Sequence, residues 1–437
     1  MSSPLLSTRR TLPAGLALAG AAVTFTSMYL AAGALTPLLV VYKEKWDFAP
    51  AMLTLAFAVY AIGFLAAVLT VGSLSDFLGR RPVLIGALVV QVASNLLFLF
   101  ASDVSWVIAG RIVQGVASGA ATSAFTAMLV EVAPANRKRL GTILGSVGLT
   151  GGLGGGSLLA GLAIQVSPSA NTIIFVVLTV ATVLGIVVIA FSPESVIRAP
   201  GAGRSLIPRI AVPAATRQEF VAAAPVVAAV WMLAGLSGGI APGMVGSVFQ
   251  LNSGLLNGFA GFVAPAVSAV IGLAFAGVAP RRAMTIGIYA SIIGAVGIIT
   301  GVLVGSLAVM IVGQAIAGVG FGASFTAALR LIFPLAAAHQ RAGVVAGIYL
   351  VSYVALGVPI VIEGQLVSPL GEVPAVFWYT AFTILLALIS LIAQLRLKRT
   401  GQLDISQGSP GIRSGRKPLD AAKVAAEARP VAKASGR

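Results

Sequence analysis

The feature that most constrains the fold of this chain is a series of twelve long apolar segments separated by short polar gaps. Each segment is long enough to cross the hydrocarbon core of a bilayer as an α-helix, which takes about 20 residues. The segments are continuously apolar, not alternating, so they predict helices and not the strands of a membrane barrel. They lie at 14–40, 50–72, 82–102, 105–130, 140–166, 171–192, 221–249, 254–278, 283–304, 306–332, 343–366 and 373–395.

The composition leads to the same conclusion. Of the 437 residues, 58% are hydrophobic and 9% are charged, whereas an average soluble protein has about 25% charged residues. A soluble core cannot hide this much apolar surface, so much of it has to face the lipid bilayer. The chain is therefore predicted to be an all-α, multi-pass protein of the cell membrane (the plasma or inner membrane).

Positive charges lie in the gaps between the apolar segments. With the N-terminus inside, the inner loops and the N-terminus contain fifteen Lys and Arg residues, and the outer loops contain only Lys43 and Lys45. This bias predicts cytoplasmic N- and C-termini. The net charge of +16 therefore indicates orientation in a membrane, and we predict no nucleic-acid partner. Arg9 and Arg10 also suit a twin-arginine export signal, but no convincing cleavage site follows the first apolar segment. We therefore interpret them as a cytoplasmic charge anchor for the first helix.

The two halves of the chain resemble each other. The stretch GRIVQGVASGAA at 110–121 aligns with GQAIAGVGFGAS at 313–324, at an offset of 203 residues. The arginine pairs at 80–81 and 281–282 align at nearly the same offset. Six helices duplicated in parallel are typical of transporters built from two bundles, with the substrate path between them.

This repeat gives the predicted domain organisation. Residues 1–192 form an N-terminal six-helix bundle, and residues 221–395 form a C-terminal one. Residues 193–220 are a cytoplasmic linker with several Pro and Arg residues. Residues 396–437 are polar, basic and poor in aromatic residues, so they are predicted to be a disordered cytoplasmic tail.

A specific motif follows the second apolar segment. The loop reads GSLSDFLGRRPVLIGAL from Gly72 to Leu88. It resembles the signature of the major facilitator superfamily between helices two and three, in which Gly, Asp, Gly, Arg and Arg or Lys stand at fixed spacing. With the repeat, the resemblance covers the chain except for the tail, and it implies a twelve-helix transporter fold. The matching residues are Gly72, Asp76, Gly79, Arg80 and Arg81.

The resemblance implies that this loop is a conformational latch, which closes the cytoplasmic side in the outward-open state. Asp76 can bond a neighbouring helix end or an arginine of the other bundle, and Gly79 suits a tight turn. The corresponding loop of the second half has Gly277 where the first half has Asp76. We therefore expect the latch to be asymmetric.

The fourth segment contains an intramembrane arginine. Arg111, Gln114 and Gly115 resemble a family pattern found in proton-coupled drug exporters, among others. A charge inside a membrane is costly and usually functional, so Arg111 and Gln114 are candidates for binding the substrate or for coupling. The alternative is that the Arg111 side chain reaches outward to the membrane interface.

The fifth segment carries GGLGGGSLLAG from Gly151 to Gly161, which partly resembles a motif of drug exporters. Ser157 occupies the proline position of that motif and Ala160 replaces a glycine, so the motif favours export only weakly. Gly152, Gly156 and Gly161 are candidates for close helix packing, with a flexible point in the helix as the alternative.

Among the carboxylates, only Glu363 is predicted to lie inside a membrane helix, and it is the candidate for proton coupling. An interfacial acid is the alternative. Glu131 is predicted to belong to the charged inner surface near 137–139. The chain has no cysteine and a single histidine, His339, so we expect no metal site and no cofactor. It contains no P-loop, and we expect no enzyme activity.

The predicted function is secondary transport of a small solute by alternating access. Resemblance to the drug and proton antiporters makes proton-coupled export of amphipathic compounds the leading case. One alternative is uptake or exchange of an anionic metabolite, with Arg111 as the counter-charge. An alternative of another class is a membrane sensor that does not transport. The predicted partners are the solute, protons and the bilayer, and the predicted state is a monomer.

Overall fold

The computed structural model describes residues 11–207, 210–337 and 340–399. Twelve of its helices are long and apolar enough to cross a membrane, which confirms the predicted all-α class. Most of the predicted tail, and His339, lie outside the described residues. The helices are α1 Ala14–Trp46, α2 Pro50–Thr70, α3 Arg80–Leu99, α4 Val104–Val132, α5 Lys138–Val166, α6 Ala170–Phe191, α7 Ala214–Ser247, α8 Gly254–Ala274, α9 Pro280–Leu303, α10 Leu307–Ile332, α11 Arg341–Leu370 and α12 Glu372–Arg399.

Helix boundaries follow local capping chemistry as well as apolarity. Asp103, Ser253 and Ser306 each accept a backbone N–H near the start of a helix, as N-cap residues do. The bond from the Ser105 N–H holds the pKa of the Asp103 carboxyl below its ordinary value. The tight turn between α9 and α10 contains Gly305 at φ +67°, a conformation that glycine adopts without strain.

One boundary differs from the apolar pattern. The seventh helix begins at Ala214, directly after Pro213, although the apolar segment starts at 221. The extra turns carry Arg217 and Glu219, and these charged residues lower the mean hydropathy so that the turns are not recognised as part of an apolar segment. Glu219 forms an ion pair with Arg281 at the start of α9. The helix can continue because its backbone bonds do not require apolar side chains.

Contacts between residues divide the chain into two compact units, Met1–Ala393 and Gln394–Arg437. In the second unit, only the last residues of α12 are described. Within the first unit, the repeat is visible in packing. Gly115 and Gly119 of α4 lie against the backbone of α2, and Gly318 and Gly322 of α10 lie against the backbone of α8. Corresponding glycines therefore lie between the corresponding pair of helices in each half, where small residues permit the two backbones to approach closely.

Candidate functional site

Among the described residues, two helix pairs make the most extensive contacts between the first and second halves, and α5 with α8 is one of them. An added Cβ at Gly258 would lie 2.7 Å from Gly161 Cα, so the two backbones touch. Ser157 Oγ donates a hydrogen bond to Gly258 O at 3.0 Å. Nearer the helix ends, Gln165 Oε1 accepts bonds from Ser253 Oγ at 3.0 Å and from Leu255 N at 3.4 Å. We call this contact the α5–α8 seam.

The second pair is α2 with α11. A Cβ at Gly364 would meet the Thr54 side chain, and one at Gly357 would lie 3.6 Å from Ala61 Cβ. The seam continues to the rings of Phe64 and Tyr353, which stack with centroids 4.3 Å apart. We call this contact the α2–α11 seam. Both seams join a helix of the first half to a helix of the second.

The α5–α8 seam occupies only part of the length of α5. Gly154 is the glycine nearest the start of α5 that meets α8, where Phe262 is its neighbour. The earlier glycines Gly141, Gly145 and Gly148 meet residues of α4 and α1 instead, within their own half. The halves are thus tightly joined at the end that the charge bias predicts to be outside.

The three glycines predicted to pack helices lie in two different contacts. Gly152 and Gly156 lie against α1, where added Cβ atoms would be 2.7 Å from Tyr29 Cβ and 2.1 Å from Leu30 O. Gly161 lies in the α5–α8 seam. The motif on α5 therefore touches one helix of its own half and one of the other half.

An aromatic cluster lies where the α2–α11 seam meets α7 and α10. The Trp231 ring of α7 has its centroid 4.8 Å from Tyr353, 5.4 Å from Phe321 and 5.7 Å from Phe325. Phe64 of the first half extends the cluster through its stack on Tyr353. We call these five rings the aromatic chamber. The sequence analysis missed it, because aromatic residues on apolar helices are usually ordinary core.

The Arg111 side chain is buried, with 3% of its surface exposed. It donates from Nε to Ala56 O at 3.2 Å, from Nη2 to Phe57 O at 3.1 Å and from Nη1 to Gln114 Oε1 at 2.8 Å. Its guanidinium also lies 4.5 Å from the centroid of the Tyr60 ring, a favourable cation–π geometry. Arg111 therefore joins α4 to α2, and Gln114 orients it.

Glu363 lies elsewhere, on α11, where it is next in sequence to Gly364. Among the described residues, the charged and polar groups that it interacts with electrostatically are Glu372 and Tyr379 of α12. Glu363 is 3% exposed, and its Oε1 atom is buried with no hydrogen-bond partner in the described part of the chain. The structure does not bring it together with Arg111, whose three bonds go to other groups. The two candidate charges therefore occupy separate environments.

The second half has a neutral counterpart of Arg111. Gln314 stands at the repeat offset of 203 residues from Arg111, it is fully buried, and its Oε1 accepts a bond from Ser237 Oγ at 2.6 Å. Ser237 belongs to a π-helical turn, Leu236–Ile240, in the middle of α7. The sequence analysis missed Gln314, although the offset could have identified it.

The loop between α2 and α3 forms a compact charged cluster. Arg80 pairs with Asp76 at 2.5 Å and with Glu131 of α4 at 3.0 Å, and it donates to Ser75 Oγ at 2.7 Å. The Glu131 side chain pairs with Arg80, and its backbone carbonyl accepts a bond from Lys138 Nζ, so it lies in a charged surface near 137–139. The ion-pair partner of Asp76 belongs to its own loop, not to the other half.

The start of α3 is capped by a residue that the sequence analysis did not select. Glu194, which follows α6, accepts the backbone N–H groups of Arg80 at 2.8 Å and Arg81 at 3.0 Å. A carboxylate is favoured there by the helix dipole. Gly79 has φ +100°, and a Cβ on it would lie 2.7 Å from Glu194 Oε2. Gly72 O accepts a bond from Ser123 Oγ of α4 at 2.6 Å.

Arg81 also has an acceptor, and so does Arg281, which is the second-half counterpart of Arg80. The Arg81 guanidinium donates to Ala190 O. In the second half, Arg281 pairs with Glu219 of α7, so an acid is present although Gly277 stands at the position of Asp76. Within the described residues, no group of three or more His, Cys, Asp or Glu side chains could hold a metal ion.

A sequence profile of the Major Facilitator Superfamily matches residues 17–361. The chain belongs to this superfamily. The family is one of transporters and not of enzymes, in agreement with the sequence prediction. The two seams and the aromatic chamber lie within the matched residues, except for Gly364 of the α2–α11 seam.

Two curated relatives align over part of the chain. A triacylglyceride transporter of Mycobacteroides abscessus is 30% identical over 135 residues, which cover 30% of this chain and 26% of that protein. The multidrug resistance protein MdtL of Salmonella typhimurium is 46% identical over 70 residues, which cover 16% of this chain and 18% of that protein. The matches thus span about a quarter or less of the length of these relatives.

Solved structures match over nearly the whole fold. A bacterial homolog of the human lysosomal transporter Spinster, in an inward-facing and unoccupied conformation, has a TM-score of 0.72 at 13% identity, over 91% of this chain and 99% of that one. The human organic anion transporter MFSD10 has a TM-score of 0.64 at 16% identity, over 87% of this chain and 100% of that one. At these identities the likeness shows the fold.

Proposed function

We propose that this protein is a secondary transporter that moves a small solute across the cell membrane by alternating access, as a monomer with both termini cytoplasmic. The observation that carries the proposal is the aromatic chamber, which is built from both halves and lies next to seams that join the halves at one end. A site between two bundles that part at one end at a time is the basis of alternating access.

The leading case is proton-coupled export of amphipathic compounds. The chamber presents aromatic surface from three helices of the second half, which suits apolar or aromatic parts of a solute. The similarity of a 70-residue stretch to a multidrug resistance protein supports this case. The alternative, an anionic substrate at Arg111, would require this buried guanidinium to exchange bonds that it makes to α2 and Gln114.

Glu363 is the proposed proton-binding group. Its carboxyl is buried and its Oε1 has no protein partner among the described residues, so its protonation state should be sensitive to whether water reaches it. Loading a proton when water reaches this carboxyl and holding it when the carboxyl is closed off would couple proton movement to the conformational cycle.

The test uses purified protein in proteoliposomes with an imposed pH gradient. The wild type is expected to accumulate an amphipathic fluorescent dye in response to the gradient, and Glu363→Gln should bind the dye but lose the response to pH. Glu44→Gln, at an exposed end of α1, is the matched control. Binding of an anionic solute that is lost in Arg111→Gln and nearly intact in Glu363→Gln would favour the anion alternative, and absence of any flux would favour a sensor.

A further inference from the structure

Glu363 and Tyr379 stand at the same depth in the hairpin formed by α11 and α12. The turn between the two helices lies at Gly371, which has φ +87°, and each of the two residues is eight positions away from it. At a rise of 1.5 Å per residue, both lie about 12 Å from the turn. The two side chains interact electrostatically, so the Tyr379 hydroxyl is a neighbour of the Glu363 carboxyl.

The Tyr379 hydroxyl lies against the backbone of α7. It donates a hydrogen bond to Met232 O at 2.8 Å, and a Cβ added to Gly235 would lie 3.2 Å from the hydroxyl oxygen. Met232 O also accepts the backbone N–H of Leu236. Loss of the bond from Tyr379 would therefore not leave this buried carbonyl without a partner.

Glu363 needs a donor once it is ionised, because a buried carboxylate without hydrogen bonds is strongly unfavourable. The ionisable groups that face it from α12 are Glu372 and Tyr379, and an ionised glutamate cannot donate. Of the two other helices that pack on α11, α7 has no ionisable side chain between 220 and 247, and α2 has only Tyr60. The Tyr60 ring lies by Arg111. Tyr379 is therefore the donor best placed for Glu363.

We propose that Tyr379 is a positioning residue for proton coupling: its hydroxyl donates to Met232 O while Glu363 is protonated, and to the Glu363 carboxylate after the proton has passed to water. The proposal rests on the proposed function, in which Glu363 binds the proton. A hydrogen bond to a charged acceptor is stronger than one to a neutral carbonyl, so ionisation reverses the preference of the hydroxyl. The carboxylate is able to approach, since no hydrogen bond from a described residue holds its Oε1.

This switch acts on α7 at the point where the helix changes its winding. Leu236, whose N–H shares Met232 O with Tyr379, is the first residue of the π-helical turn Leu236–Ile240. Within the turn, a Cβ added to Gly239 would lie 3.0 Å from the Phe57 ring of the first half. Such turns are frequent at functional sites. Release of Met232 O therefore transmits the protonation state of Glu363 to a segment that contacts the other half.

Infrared difference spectroscopy of the full-length protein in nanodiscs tests the switch without transport. The carboxyl band that Glu363→Gln removes reports the protonation of Glu363, and a tyrosine band of the wild type should change with the same pH midpoint. Tyr379→Phe should raise the midpoint of the carboxyl band by about one pH unit, a tenfold change in the protonation equilibrium, because the carboxylate loses its donor. Glu363→Gln should abolish the tyrosine change, since an amide does not titrate.

Matched variants separate this role from a merely structural one. Tyr289→Phe removes an exposed tyrosine hydroxyl from α9, and Thr380→Val removes the hydroxyl next to Tyr379, which donates within its own helix. Neither should move the midpoint. Glu372→Gln removes a like charge that interacts with Glu363, so it should lower the midpoint, opposite to Tyr379→Phe.

Transmission to the other half is read from spin labels on the inner loops of the two halves, at the exposed positions Ala135 and Ala276. Their distance distribution should change with pH in the wild type at the midpoint of the carboxyl band. In Tyr379→Phe, this change should be largely lost although Glu363 still titrates. A distance change that follows the carboxyl band equally in both proteins would show that the hydroxyl does not transmit the signal.

An unchanged midpoint in folded Tyr379→Phe, an equal shift in Thr380→Val or Tyr289→Phe, or a wild-type carboxyl titration without a tyrosine change would each overturn the proposal. If Tyr379→Phe does not fold, the tyrosine change in the wild type and its loss in Glu363→Gln decide the question. The proposed function fails separately. A tyrosine change that follows the carboxyl band, without pH-driven flux in proteoliposomes, supports the switch and refutes proton-coupled transport.

Discussion

The tightest contact between the halves gives a sharp prediction for Gly258. A Cβ added there would lie 2.5 Å from Ser157 O and 2.7 Å from Gly161 Cα, both backbone atoms of α5. Neither atom can rotate away, so the α5–α8 seam has to widen. Such overpacking costs about 1–3 kcal/mol, which corresponds to a change of about 5- to 150-fold in the ratio of two conformations. Gly258→Ala should therefore favour the state in which the predicted outer end is open.

Two matched glycine variants separate this effect from simple destabilisation. Gly115→Ala creates a similar overlap, with its Cβ 2.3 Å from Tyr60 O, but both residues lie in the first half. It should lower thermal stability without favouring either conformation. Gly246→Ala, where nothing lies within 4 Å of the added Cβ, should leave both stability and conformation unchanged.

The absence of cysteine makes the assay direct, because introduced cysteines are the only labelling sites. Spin labels at Ala135 and Ala276 report the distance between inner loops of the first and second halves, at exposed positions. Gly258→Ala should increase the population with a short distance, as the inner end closes when the outer end opens. An unchanged distance distribution combined with a lower melting temperature would refute the reasoning, since the seam would then be only a packing contact.

Three further predictions concern the latch, the intramembrane arginine and the topology. Asp76→Asn should slow turnover and change the ratio of the two conformations, read from the spin-label distances, by about fivefold or less. The effect is small because the Asp76 carboxylate is 58% exposed and exposed ion pairs contribute about 0.2–1 kcal/mol. Unchanged turnover and unchanged distances would reject the latch. Arg111→Gln should destabilise the fold by about 1–3 kcal/mol through two lost interhelical bonds, measured by thermal unfolding, and an unchanged midpoint would contradict this. A cysteine at Ala202 should react with an impermeant reagent only from inside, and labelling of intact cells would reverse the topology.

The sequence predicts the number of membrane helices well, for a physical reason. A membrane span is defined by a sum over about 20 residues, so errors at single positions do not matter. The turns at 214–220 show the limit of this signal. They are helical but carry Arg217 and Glu219, so a pattern based on apolarity places them in a linker.

Pairings between distant residues are the part that the sequence does not predict. Arg80 and Glu131 are 51 residues apart, and neither local sequence contains a signal that predicts their pairing. The repeat alignment does not predict the partner of Arg281 either. That partner is Glu219 on α7, whereas the alignment with Asp76 points to position 277, which is a glycine. An ion pair requires only that two helix ends meet, so different loops of the two halves can supply the same chemistry.

The distribution of strong and weak contacts bears on how the conformation changes. The ion pairs Asp76–Arg80–Glu131 and Glu219–Arg281 each lie within one half and should move with it as a rigid body. The seams, by contrast, are made from glycine backbones, small side chains and neutral hydrogen bonds such as Ser157 to Gly258.

Neutral interhelical hydrogen bonds in membranes contribute about 0.6 kcal/mol each on average, and three of them join α5 to the α8 region. Their sum, about 2 kcal/mol, is within the binding free energy that a small solute supplies, since a Kd of 1 mM corresponds to about 4 kcal/mol. A ligand that prefers the open outer end by about 2 kcal/mol could therefore offset these bonds and shift the population about 30-fold. An ion pair buried in the seam would raise this cost severalfold when broken. The neutral seams thus allow solute and proton binding to reverse the conformation, while the charged clusters keep each half intact.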